Sequence, residues 1–333
     1  MIFSVKPFKS ILDLIKAFPD QDTCLKHLEL TLWDNKPVSP FDSTSTVYNC
    51  GNHKYKCRSS NKYFNVLTGT VFENTKIPLQ TWFLAIYIIT TSKRGISSYQ
   101  LAEELNITQK SAWFLLSRIR ECMDHDIFKK DFNGTVEMDE TFVGGKNKNR
   151  HHDKKVENSQ GRSFKDKKPV LGAYQEEKAE MITRPDKRNI DRTVTEKVVQ
   201  QPAVVFTQVV PDTKASTLRP IIIGKILPGS RIVTDEWLGY NGLNGTYDHR
   251  IVDHRAKQYV NEAGDTSNRI EGYWTILKKT LHNYYKVSHR HLQRYCNEVS
   301  YRFNTRHLET VEKFNLLLSG SNKRLRYADL IRK

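Results

Sequence analysis

The sequence lacks a disulfide framework: its five cysteines, Cys24, Cys50, Cys57, Cys122 and Cys296, are odd in number and widely scattered. That usage fits a reducing cytoplasm rather than a secreted, bridge-stapled fold. Long apolar runs are also missing. The longest covers residues 82–89, against the ~20 residues needed to span a bilayer, so no membrane partner is expected. No export signal is evident either, because Lys6 and Lys9 interrupt the apolar N-terminus. Acid is scarce relative to base, with 37 Asp and Glu against 53 Lys and Arg and a net charge of +16. A surplus of that sign and size points first to a polyanion such as nucleic acid. The 38% hydrophobic and 27% charged residues over 333 positions are those of a folded protein with two or three modules.

Residues 8–34 carry apolar positions at helical spacing and are expected to form one or two amphipathic helices, an N-terminal segment 1–34. The texture changes over 35–76, where Pro37, Pro40, Gly51 and Gly69 stand among Ser, Thr and Tyr, and 55–71 alternates enough for short strands. Over 77–130 helices return, the first opened by Pro78. Residues 95–122 give two helices around a tight break, with Asn106 at the turn and Thr108 as cap of the second. This is the spacing of a helix-turn-helix. Gln109, Lys110, Ser111, Trp113 and Arg118 on the second helix are candidate DNA contacts; an ordinary helical hairpin is the plain alternative.

From 131 to 310 the pattern is α/β, with strands expected at 135–143, 170–174, 203–210, 231–234 and 249–252. Helices are expected at 214–226, 268–280 and 289–302, and 311–333 reads as a C-terminal tail. Segment 146–168, with nine Lys and Arg against three Asp and Glu, reads as a basic insertion in which Lys146, Lys148 and Arg150 could meet DNA.

Three acidic positions sit on apolar elements able to hold them still. Asp139 lies inside the strand-like VEMDETFVGG, where burying a carboxylate is costly unless a cation or ionic partner compensates. Asp235 ends the apolar run Arg231-Ile-Val-Thr, and Glu271 lies on the helix that opens with Asn268. Such a set can hold two divalent ions for phosphodiester chemistry, and its hard oxygen donors suit Mg²⁺ or Mn²⁺ rather than zinc. Taken singly, each Asp is more often a cap, turn or ion-pair residue.

The stretches MDETFVGGKNKNRH, VTDEWLGYNGL, SNRIEGYWTILKKTLHNYYK and GTVFENTKIPLQTWFLAIYIITTSKRGISSYQLAEELNITQKSAWFLLSRIR make the match specific. Over about residues 7–307 the chain resembles bacterial insertion-sequence transposases of the ISXO-like DDE type. The resemblance implies an RNase H-like catalytic core behind the helix-turn-helix region, with Asp139 and Asp235 as the first two metal ligands. The third place in such proteins is Asn or Glu, followed by a Lys on the same helix. Asn268 and Glu271, three apart, can face one way, so both remain candidates. Lys278 returns to the Glu271 face and is preferred to Lys279 as the phosphate contact at the site. Lys279 and Arg290 stay candidate DNA-binding residues on the basic C-terminal helices. The implied cofactor is a pair of Mg²⁺ or Mn²⁺ ions. The implied partners are terminal inverted repeats and target DNA, bound by a homodimer or larger assembly in the bacterial cytoplasm at the nucleoid. A catalytically decayed DNA-binding protein and a nuclease of the same fold remain open as alternatives.

The sequence departs from the family in its N-terminal zinc ribbon. Ser39-Pro-Phe-Asp-Ser43 stands where a Cys-x-x-Cys is expected, leaving Cys50, His53 and Cys57, at most three ligands where tetrahedral zinc takes four. A degenerate, zinc-free β unit is therefore expected over 35–76.

Overall fold

The computed structural model describes residues 8–144, 151–157, 167–186, 192–252, 266–284 and 287–332. The chain divides into two units, residues 1–126 with 308–333, and residues 127–307.

The first unit begins with α1 (Ile11–Ala17), whose N-terminus is closed by a reciprocal capping box between Ser10 and Asp13. Next comes α2 (Gln21–Trp33), capped by Asp20. A three-stranded antiparallel sheet follows, β1 (Val47–Asn49), β2 (Tyr55–Cys57) and β3 (Tyr63–Phe64). Helix α3 (Leu79–Thr91) is apolar almost all round and is correspondingly buried at Leu79, Trp82, Phe83, Ile86 and Ile89. The pair α4 (Ser98–Leu105) and α5 (Gln109–Met123) is joined by Asn106 in the left-handed region (φ 50°), and Thr108 caps α5 by accepting from the Ser111 amide at 3.2 Å.

The small sheet is held by a cluster of Tyr55, Cys57 and Phe64 with Trp33 and Val47 packed against it, and by side-chain hydrogen bonds. Cys57 is buried, and the hydroxyls of Ser39, Ser45, Ser59 and Ser60 around its thiol pull its pKa down to about 5. His53 ties the sheet to α2: Nδ1 lies 2.9 Å from Glu29 Oε1 and Nε2 lies 2.8 Å from Asp22 Oδ1. Cys50 is exposed. Both His53 ring nitrogens are thus taken up by carboxylates. Burial pushes the His53 pKa down, but the two hydrogen bonds and charges of Asp22 and Glu29 outweigh it, so the net shift is upward from 6.5. Its stabilisation is thus complete below pH 6.5 and is lost as pH rises through the elevated folded value. His53→Asn, which tolerates the φ of 56° there, is expected to flatten that loss in thermal midpoints measured from pH 5.5 to 8.5. A variant curve parallel to wild type would contradict the ion-pair role.

The second unit is built on a five-stranded mixed sheet in the order β10-β9-β4-β5-β8. Its strands are β4 (Thr135–Gly144), β5 (Lys167–Gln175), β8 (Val204–Val209), β9 (Arg231–Thr234) and β10 (Asp248–Ile251). β5 runs antiparallel between β4 and β8, whereas β9 runs parallel to both β4 and β10. Period-2 alternation in β4 sends Val136 and Met138 to one face and Glu137 and Asp139 to the other. On the first face Val136, Met138, Leu171 and Ile232 pack with Leu218 and Ile222 of α6 (Ala215–Ile223) and with Tyr240. On the second, Val170 and Val205 pack with Ile270, Tyr273, Trp274 and Leu277 of α7 (Asn268–Asn283) and Leu292, Cys296 and Val299 of α8 (Leu292–Asn304). Each such side chain, when fully buried, contributes roughly 1.5–3 kcal/mol.

Between β5 and β8 the chain makes an antiparallel hairpin, β6 (Lys178–Pro185) and β7 (Thr193–Gln201), to which the sequence reading assigned no element. Its residues are exposed on both faces except Gln201, so no one-sided apolar alternation marks it. Residues 308–333 belong to the first unit, and the stretch 311–333, read from the sequence as a tail, instead lies in α9 (Thr310–Ser319) and α10 (Tyr327–Ile331) with their connection. Phe314 of α9 is fully buried with Phe8, Phe18 and Phe83, and His27 meets Asn315 at 2.9 Å. Among the described residues no helix is long and apolar enough to cross a membrane.

Candidate active site

The site lies on the α7 face of the second unit's sheet. β4 and β9 are in parallel register through Glu137↔Val233, and Asp139 and Asp235 each lie two residues further on. Adjoining strands are ~4.8 Å apart, so the two aspartates stand side by side where β9 ends. α7 crosses this face and brings Glu271 from its first turn.

The electrostatics of Asp139 report the convergence. Its pKa is pushed up to about 6, first by burial and further by the like charges of Asp235 and Glu271; the Trp274 indole and the Glu140 amide work in the opposite direction. Trp274 Nε1 donates to Asp139 Oδ2 at 2.8 Å. The indole lies over Gly172, the residue paired with Asp139 across β4 and β5, and a Cβ built on Gly172 would stand 2.4 Å from Trp274 Cη2. Asp235 is fixed by its own turn, where Oδ1 accepts from the Trp237 amide at 3.0 Å and the Trp237 indole donates to the Thr213 carbonyl at 2.9 Å.

Helix α7 is anchored by Glu137, two residues before Asp139 on the same face and fully buried. The Ser267 side chain forms no cap. Instead the Glu137 carboxylate accepts from the Arg269 amide at 3.0 Å, the Ile270 amide at 2.9 Å and the Arg269 guanidinium at 2.8 Å. Arg269 also pairs with Glu176 at 2.6 Å. Burial drives the Glu137 pKa up, and the Arg269 and Ile270 bonds pull against it.

Of the positions singled out by sequence, Asp139, Asp235 and Glu271 come together. Asn268, the first residue of α7, is exposed, as are Lys278 and Lys279. Arg290 is exposed on the turn before α8. On α5, Lys110 is exposed with its ammonium 5.1 Å from the Tyr327 ring centroid. Gln109 donates to Ser98 Oγ, while Ser111 and Trp113 are half-buried. Arg118 departs from its expected role as a DNA contact: only 8% exposed, it donates to the Leu325 carbonyl at 3.1 Å and lies over the Phe114 ring. The segment that follows α9 covers it. Lys146, Lys148 and Arg150 lie outside the described residues. Sequence reasoning missed Glu137, Arg269 and Gly172; the period-2 pair Glu137/Asp139 was the one local signal available.

Among the described residues no group of three or more His, Cys, Asp or Glu side chains is placed to hold a metal ion. The acidic groups that act on Asp139 are the carboxylates of Asp235 and Glu271, oxygen donors all. That fits Mg²⁺, which keeps several waters and takes one or two carboxylates plus substrate phosphate rather than an all-protein cage.

Residues 131–304 match the model of the ISXO2-like transposase domain. An uncharacterized protein in transposable element ISH50 of Halobacterium salinarum is 26% identical over 295 residues, 86% of this chain and 92% of that protein. An uncharacterized transposase-like protein of Haemophilus influenzae is 29% identical over 119 residues, 35% of this chain and 95% of its own length. No solved structure matches.

Proposed function

The chain belongs to the ISXO2-like transposase domain family, and from that premise we propose that it cleaves DNA at the inverted-repeat ends of an insertion sequence and joins them to target DNA. The observation that carries the reading is the convergence of Asp139, Asp235 and Glu271, from two adjoining strands and a crossing helix, felt by Asp139 as like charge. The strand order supports an RNase H-like core, since three antiparallel strands, β4, β5 and β8, are extended past β4 by the parallel β9 and β10.

In this reading Asp139 and Asp235 are the first two metal ligands and Glu271 the third, preferred to Asn268 because its charge acts on Asp139. Two Mg²⁺ or Mn²⁺ ions, when bound, would supply a Lewis acid at the phosphodiester and an activated oxygen nucleophile. The protein's own part is to hold the three carboxylates at fixed spacing. Asp235 is locked by its turn onto Trp237, and Glu271 by the anchorage of α7 on Glu137. Lys278, seven residues beyond Glu271, lies on the same helix face and would receive a DNA phosphate. DNA ends would be gripped by α4 and α5 as a helix-turn-helix through Gln109, Lys110, Ser111 and Trp113. Lys146, Lys148, Arg150, Lys279 and Arg290 would contribute positive charge toward DNA, in keeping with the net +16. Zinc has no part in this chemistry, and a dimer would bring two ends together.

The test is strand transfer in vitro. Purified protein, a DNA fragment ending in the inverted repeats that flank its gene, and supercoiled target are incubated with Mg²⁺. The expected products are nicked ends and joined target, absent with scrambled ends or with chelator. Retention of the fragment with no Mg²⁺-dependent nicking would leave only a DNA-binding protein. Nicking without joining would leave a nuclease.

A further inference from the structure

Trp274 satisfies its indole N–H in an unusual way. A buried Trp needs an acceptor for that group, and a neutral backbone carbonyl is enough. Here the acceptor is the carboxylate of Asp139, reached at 2.8 Å from a helix on another layer. The contact exists because position 172 has no side chain: Gly172 is the register partner of Asp139, and the indole edge fills the space a Cβ would occupy, 2.4 Å and 2.5 Å from Cη2 and Cζ2. Trp274 also follows Glu271 by three residues on α7, so one side chain ties the strand that carries one carboxylate to the helix turn that carries another.

We infer that Trp274 is a positioning residue: its indole N–H aims the Asp139 carboxylate and sets its spacing from Glu271, and Gly172 is the vacancy that admits the ring. The inference rests on the proposed reading of Asp139 as a metal ligand. A carboxylate oxygen has two lone-pair sites, so Oδ2 can accept from the indole on one and face a cation with the other. Fixing the rotamer in advance removes a freedom that ion binding would otherwise have to freeze. Partners of this kind, one bond away from a ligand, typically change metal affinity or activity 10–100-fold when removed.

The experiment uses the full chain and Mn²⁺ or Mg²⁺ alone, without DNA. Trp274→Phe keeps an apolar ring near Gly172 and deletes the donor. Gly172→Ala keeps the donor and crowds the ring, without a new group that could reach Asp139 chemically. Both are expected to weaken Mn²⁺ binding, read by calorimetry, by roughly 10-fold or more, with circular dichroism spectra like that of the wild type. Full Mn²⁺ affinity in folded Trp274→Phe would overturn the inference. A second readout needs no variant to be stable. The Trp274 indole N–H resonance of the wild type is expected to move during a Mg²⁺ titration with the same midpoint as binding, and a resonance that stays fixed while Mg²⁺ binds would also overturn it. Mn²⁺ binding of equal strength in wild type and Asp235→Asn would instead remove the acidic cluster as the metal site. Failure of the underlying reading is thereby separated from failure of the role given to Trp274.

Discussion

Asp139→Asn is expected to abolish DNA cleavage, by about 10³-fold or more if the carboxylate supplies a metal ligand at the reacting phosphate, while making the metal-free protein more stable at neutral pH. The two effects have one cause. The Asp139 carboxyl is held up at about 6 against an ordinary 3.8, first by burial and then by Asp235 and Glu271, so its ionised form is less welcome in the folded state than in the unfolded one. The folded protein therefore binds more protons between pH 4 and 6, and stability falls as pH rises through that window. Above it the cost is fully present, about 3 kcal/mol at one pKa unit per 1.36 kcal/mol. Asn keeps the shape and still offers Oδ1 to the Trp274 indole, and it carries no charge to desolvate or repel. Thermal unfolding at pH 7.5 should show the second unit melting several degrees higher in the variant, since each kcal/mol moves a domain of this size by roughly 2–4 °C. At pH 4 the two curves should converge. A site that is destabilising when empty and needed when active is a familiar trade of stability for function. An Asp139→Asn protein that still cuts at the wild-type rate would end the proposal. One that is less stable at pH 7.5 would show that the carboxylate has a structural partner worth more than its burial costs.

Two of the three acids in the proposed site stood out one by one in the sequence, and the reason is local. Asp139 interrupts the apolar run of β4 and Asp235 directly follows that of β9, and a charge at such a place stands out against its neighbours. The third was legible only as a pair, because helical spacing lets Asn268 and Glu271 share a face; what separates them is the charge of Glu271 acting across space on Asp139. Other features depend on partners too distant in sequence to leave a pattern. Arg118 sits on the helix expected to read DNA, yet the carbonyl that claims it belongs to Leu325, 207 positions on. Helix α9 carries Phe314, whose ring partners Phe8, Phe18 and Phe83 lie in the first quarter of the chain, so nothing in residues 311–333 alone distinguishes a tail from a core helix. β6 and β7 escaped for another reason. Strands are read from one-sided burial, and both faces of this hairpin meet solvent.

Glu137→Ala should be the most destabilising single change near the site, at about 3–5 kcal/mol, from three hydrogen bonds to a charged group at roughly 1.5–3 kcal/mol each, partly offset by release of the carboxylate's own desolvation cost. Glu137 is fully buried and makes three bonds that begin α7, two to backbone amides of its first turn and one to the Arg269 guanidinium. A helix N-terminus needs acceptors for its first amides and favours negative charge; with Ser267 providing none from its side chain, a strand residue does the work from outside the helix. Alanine would remove the acceptor of those amides, while Arg269 would keep its pairing with Glu176. Glu137→Gln keeps one acceptor oxygen and loses the charge, and should cost less. The consequence for function follows from position, because Glu271 lies one residue beyond Ile270 on the turn that would loosen. Cleavage should therefore fail even at low temperature, where the alanine variant remains folded. Hydrogen exchange separates this from general unfolding: amides of residues 269–272 should lose protection while those paired between β4 and β5 keep it. Unchanged protection over that turn would mean that α7 is held by its apolar face alone, through Ile270, Trp274 and Leu277 against Val170 and Val205, with the buried carboxylate a passenger.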